Sequence, residues 1–92
     1  MVTITFEANK NRSVTLDEAT EIGECTFRST DDLWTINHTF VDEAYQGQGI
    51  ARQLVEKIAD EARKAGVRLA ATCPYAVRLF EQTHDFDDLL AK

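Results

Sequence analysis

The chain has 92 residues, 43% of them hydrophobic, with 10 basic side chains against 16 acidic ones and a formal charge of −6. That length allows a single domain, residues 1–92, with one modest core. The acidic balance excludes charge-driven attachment to nucleic acid or to an anionic membrane and favours a cationic or neutral substrate. No apolar run approaches the roughly 20 residues of a membrane span. The opening Met1-Val-Thr-Ile-Thr-Phe lacks a basic region followed by a long apolar stretch, so a cytoplasmic location is expected. Cys25 and Cys73 are far apart and belong to no C-x-x-C pair, which suits two free thiols in a reducing compartment.

Val2 to Ala8 alternates, with Ile4, Phe6 and Ala8 on one face and Thr3, Thr5 and Glu7 on the other, as in a half-buried strand. Asn9-Lys-Asn11 signals a turn, and Val14 and Leu16 continue the alternation in a second strand paired back on the first. Ile22 to Arg28 reads as a third strand whose broken period places a bulge around Gly23. Leu33 to Val41 is apolar on both faces and should be central, with Trp34, Ile36, His38 and Phe40 together on one side. A helix from about Gly47 to Ala65 carries Ile50, Leu54, Ile58 and Ala62 in one stripe, widened by Val55 and Ala59, and Gly66 stops it. Val67 to Thr72 is a short strand, parallel to the strand before the helix in a β-α-β unit. Pro74 opens a second helix, about Tyr75 to Gln82, with Val77 and Phe80 as buried positions. Asp85 to Lys92 is expected to fold back as a short helical tail anchored by Phe86, Leu89 and Leu90.

The stretch Gln46-Gly-Gln-Gly-Ile-Ala51 stands where strand becomes helix. Glycines there permit a tight turn and close approach to first-turn N–H groups that lack helical partners, which makes a corner for an anion such as phosphate. The plain alternative is that the glycines only relieve crowding. A Rossmann arrangement needs the glycines after the first strand, and a P-loop needs Gly-Lys-Ser/Thr; the sequence has neither.

Gln46, Gly49 and Ala51 match the pattern Gln/Arg-x-x-Gly-x-Gly/Ala, motif A of the GNAT acetyltransferase superfamily. With the flanking runs Asn37-His-Thr-Phe-Val-Asp42, Glu61-Ala-Arg-Lys-Ala-Gly66 and Ala71-Thr-Cys-Pro-Tyr75, the chain resembles the minimal, single-domain YjdJ-type branch of that superfamily. The resemblance implies an α/β (α+β) fold of antiparallel strands followed by β-α-β. It further implies acetyl-CoA as cosubstrate and a primary amine, on a small molecule or a protein, as acceptor. Gln46, Gly47, Gln48, Gly49, Ile50 and Ala51 would cradle the pyrophosphate, with Arg52 as a nearby cation. Phe40 and Val41 would pair with the pantetheine arm, and Pro74 and Tyr75 would pack against the cofactor.

The branch is also marked by a histidine before the turn and a cysteine after the helix, matched here by His38 and Cys73. The resemblance implies that both face the acyl end, with Cys73 accepting the acetyl group and His38 assisting its ionisation. A milder version makes His38 the general base on the amine and Cys73 a lining residue. The plain alternatives are a satisfied core histidine and a small buried hydrophobe. His84 reads as a cation near a helix end and Cys25 as core, and the spacing of Cys73, His38 and His84 fits no standard zinc site. The rival function is an acyl-CoA-binding or interaction module without turnover; the oligomeric state is left open.

Overall fold

A computed structural model describes residues 1–90. Its β1 (Val2–Glu7), β2 (Arg12–Asp17), β3 (Thr20–Thr30) and β4 (Leu33–Val41) form an antiparallel meander. Helix α1 (Ile50–Ala65) then returns the chain to β5 (Arg68–Ala71), which pairs parallel to β4, and α2 (Pro74–Gln82) follows. The sheet order is β1-β2-β3-β4-β5, so the β-α-β unit is added to one edge of the meander. No helix of the described residues is long and apolar enough to cross a membrane.

The apolar stripe decides where α1 lies. Ile50, Leu54, Val55, Ile58, Ala59 and Ala62 are all buried, against Ile36, Leu69 and Phe27 of the sheet. Burying a Leu or Ile side chain contributes about 1.5–3 kcal/mol, so these six residues hold the helix far more firmly than its surface ion pairs do. Ser13 adds a buried hydrogen bond, its hydroxyl donating 2.8 Å to the Leu54 carbonyl. Gly66 ends the helix in the left-handed region at φ 72°, and Val67 N–H reaches back to the Ala62 carbonyl at 3.1 Å, as in a Schellman stop.

The expected bulge near Gly23 is present, since Thr15 pairs with Gly23 and Leu16 with Glu21, leaving Ile22 as the extra residue. Three expectations change. A second bulge was not foreseen: Phe27 pairs with Ile36 but Thr26 with His38, so Asn37 is extra and the faces of β4 exchange beyond it. In α2 the buried residues are Ala76 and Leu79, while Val77 is exposed and Phe80 only partly covered. The tail is a run of turns rather than a helix, closed by a parallel bridge from Leu90 to Leu69, because β5 has a free edge there to complete. Ala91 and Lys92, the end of the expected tail, lie outside the described residues.

Both helices feed one core, in which Ala76 and Leu79 of α2 join the α1 stripe. The other sheet face, bearing Arg28, Asn37 and His38 as exposed residues, has no described helix over it.

Candidate active site

The site is built on the second bulge. Ile36 points into the core, and its carbonyl accepts from Thr72 N–H at 2.9 Å and from Cys73 N–H at 3.2 Å. These are the last links between β4 and the chain leaving β5, and beyond them the two strands part in a fork. The extra residue Asn37 turns the following side chains over, so Thr39 faces the helices and reaches both cysteines. His38 points the other way and is 56% exposed, with Nε2 3.9 Å from a Glu24 carboxylate oxygen. The structure therefore does not bring His38 to Cys73; Thr39 occupies that place. Phe40 shares the outward face with His38 and is 52% exposed, so only its backbone belongs to the fork.

Cys73 is the residue just before α2, and Pro74 is well suited to the first helical position because its missing N–H has no helical partner to lose. The Cys73 sulfur lies 3.5 Å from the Thr39 hydroxyl. Burial pushes the Cys73 thiol up, but the Thr39 hydroxyl and the N–H groups of Ala76, Tyr75 and Thr39 outweigh it and bring the thiol below its ordinary range. The helix N–H groups point at the sulfur without closing a capping hydrogen bond. Cys25 touches the same hydroxyl at 3.5 Å, yet burial pushes its thiol up to about 12. Cys25 is thus an inert core thiol.

At the other end of the fork the chain crosses from Val41 to α1. Asp42 caps a 3-10 turn at Glu43–Tyr45 by accepting from Ala44 N–H at 2.9 Å, which ties its carboxylate to that turn. Tyr45 donates to Asp17 at 2.5 Å, holding Asp17 below the usual carboxylate range and pinning the turn to β2. Gly47 at φ 83° and Gly49 at φ 77° both adopt the left-handed conformation that other residues avoid. A Cβ on either would meet nothing within 4 Å, so the backbone borders open space. The first-turn N–H groups of α1 at Ile50, Ala51 and Arg52 have no described partner, and no acidic residue stands in that turn. With the helix dipole they form an electropositive corner.

A cleft of about 410 Å³ joins the two ends, lined by Thr39, Val41, Tyr45, Gln46, Gly47, Gly49, Ile50, Ala51, Arg52 and Tyr75. No carboxylate lines it, in a chain of charge −6. Gln48 and Pro74, expected at the cofactor, are exposed and outside this lining. Arg52 is not a free cation: Nε bonds Glu56 at 3.0 Å and Nη2 bonds Asp85 at 2.6 Å. Burial raises the Tyr75 hydroxyl above its ordinary range, so it keeps its proton and is able to donate it in a hydrogen bond. His84 lies beyond α2 with Nδ1 2.9 Å from an Asp87 oxygen, apart from the cleft. Among the described residues no cluster of three His, Cys, Asp or Glu is placed to hold a metal ion.

Residues 6–89 match the family model of the GCN5-related N-acetyltransferases. The chain belongs to that family. The GCN5-related fold is also found in solved structures. A GCN5-like protein of Staphylococcus aureus is 25% identical, with a TM-score of 0.77 over 97% of this chain and 87% of that one. The ribosomal-protein-S18-alanine N-acetyltransferase of Escherichia coli is 26% identical, with a TM-score of 0.67 over 77% of this chain and 49% of that one. N-acetylglutamate synthase of Neisseria gonorrhoeae, solved with coenzyme A and N-acetylglutamate, is 20% identical with a TM-score of 0.68 and shares the fold over 86% of this chain and 21% of that one. Among the curated proteins no sequence matches. The GCN5-related assignment agrees with motif A at Gln46, Gly49 and Ala51. Two residues of the site, Thr39 and Tyr45, carry no signal in the sequence: one depends on the bulge, the other on a contact with a distant strand.

Proposed function

We propose that this GCN5-related domain binds acetyl-CoA in the cleft and transfers the acetyl group to a primary amine. The observation that carries the proposal is the continuity of the cleft, from unpartnered N–H groups at one end to Thr39, in contact with the Cys73 sulfur, at the other. Ile50, Ala51 and Arg52 supply first-turn N–H groups to a pyrophosphate, and Gly47 and Gly49 let it approach. Gln48, beside them, contributes backbone alone. Val41 and Phe40 offer backbone at the open edge of β4, where the Gln46 amide now donates 3.3 Å to the Val41 carbonyl. Tyr75 forms a wall, and Pro74 sets the helix that carries it. When bound, acetyl-CoA supplies an acetyl group activated as a thioester.

Cys73 is the nucleophile of this reading. Its sulfur forms a bond to the acetyl carbon as the thioester bond breaks, and the departing thiolate takes up a proton. An amine nitrogen then takes the acetyl group, loses a proton and returns Cys73 to its resting state. Thr39 and the α2 N–H groups favour the thiolate that begins the cycle. His38, on the outer face one residue from Thr39, is placed to serve the incoming amine rather than Cys73.

Calorimetry should give acetyl-CoA binding with a stoichiometry near one. Gly49→Glu should abolish it, because a side chain there enters the cleft from a left-handed backbone and brings a like charge to the phosphates. No heat with the wild type would sink the proposal. Intact mass after incubation should show an acetyl increment that Cys73→Ala removes; an unchanged mass with turnover intact would leave direct transfer. Acetyl-CoA binding with no thiol release across a panel of amines would instead identify a binding module.

A further inference from the structure

The outer face of the sheet carries a second depression of about 310 Å³, lined by Arg28, Thr30, Thr35, Asn37 and Thr72. Arg28 pairs with Thr35 across β3 and β4, and Thr72 is the last residue before Cys73, so the hollow ends where β4 and β5 part. It lies against the same fork as the cleft, from the opposite face. The hollow is separate from the cofactor cleft, so a molecule held there does not compete with the cofactor.

The lining has one charged group and no carboxylate. Arg12, Arg52 and Arg63 are each tied to carboxylates, whereas the exposed side chain of Arg28, like that of Arg78, makes no hydrogen bond or ion pair among the described residues. Glu7, Glu21 and Glu24 are gathered on Arg12 and so are not partners of Arg28. A guanidinium presents a planar fork of donors that fits a carboxylate in bidentate fashion, and Thr30, Thr35 and Thr72 can add hydroxyl donors. We propose that the outer hollow binds a carboxylate on the acceptor, so that the substrate is an amino acid or another amine bearing a carboxylate at one end. The inference rests on the acetyltransferase reading. It also departs from the chain's overall charge, which by itself favours a cationic or neutral substrate.

The test uses three four-carbon amines: 4-aminobutyrate, butylamine and 1,4-diaminobutane. In an NMR titration of the protein without acetyl-CoA, 4-aminobutyrate should move the amide signals of Arg28, Asn37 and Thr72, and the other two should not. Arg28→Gln should weaken that binding at least about tenfold, the scale of a lost charge-assisted pair. Acetyl-CoA affinity and thermal midpoint should stay unchanged, because Arg28 supports nothing else. In thiol-release assays 4-aminobutyrate should exceed butylamine about tenfold in kcat/KM, and Arg28→Gln should erase the difference through KM. Acetyl-CoA binding with butylamine or 1,4-diaminobutane equal or superior to 4-aminobutyrate overturns this inference alone. No acetyl-CoA binding overturns both readings.

Discussion

Cys25 and Cys73 lie on either side of one hydroxyl, each 3.5 Å from Thr39 Oγ1, and both are buried, yet they are opposite in chemistry. Burial raises both thiols. Cys25 sits within β3 and has only Thr39 to offset the cost, so it rises to about 12. Cys73 stands where a strand meets a helix, and N–H groups from Tyr75, Ala76 and Thr39 reverse the balance. Covering a thiol therefore does not make it inert. What sorts the two is access to unpartnered backbone donors at a helix start, the same resource that the Gly47–Gly49 corner offers to an anion.

The strongest test of this contrast removes one thiol at a time. Under native conditions near neutral pH, iodoacetamide should label the protein once, as read by intact mass. Cys73→Ala should abolish that labelling and Cys25→Ala should leave it. Equal labelling of the two variants would erase the contrast. A smaller effect is expected at the shared hydroxyl. Thr39→Val removes one donor to a thiolate, worth about 1.5 kcal/mol, and should slow Cys73 labelling roughly tenfold, with Thr39→Ser close to wild type. Full reactivity in Thr39→Val would assign the lowering to the α2 backbone alone.

The sequence shows the α1 end of this site more clearly than the fork. The stripe from Ile50 to Ala62 and the stop at Gly66 lie within one segment, so periodicity and a left-handed glycine reveal them. Gly47 and Gly49 are similarly local. The fork is not. Trp34, Ile36, His38 and Phe40 alternate without interruption, and only the pairing of Thr26 with His38 and of Phe27 with Ile36 inserts Asn37 and turns the remaining residues over. A single extra residue thereby exchanges His38 for Thr39 beside Cys73. In α2 apolar residues at 76, 77, 79 and 80 leave the buried face undecided over nine residues, and packing selects Ala76 and Leu79.

The same contrast appears in the pH dependence of stability, where the two thiols act in opposite directions. The folded Cys25 thiol holds its proton to about 12. An unfolded cysteine releases it near the ordinary value of about 8.5. Between those values the folded state binds the extra proton, so Cys25 makes stability fall as pH rises, by about 1.4 kcal/mol per pH unit. Its contribution is complete below the lower value. Cys73 is held below its unfolded range, so its contribution grows as pH climbs from the folded to the unfolded value and is lost as pH falls through the folded one. Denaturant melts of Cys25→Ala between about pH 9 and 11 should therefore show a flatter decline than wild type. Cys73→Ala should lose the gain that wild type makes on approach to pH 9. The slope is the readout, because the loss of buried volume shifts each curve equally at every pH. Parallel curves for wild type and Cys25→Ala would mean that Cys25 ionises as readily in the fold as outside it, and the distinction between the two thiols would fail on its inert side.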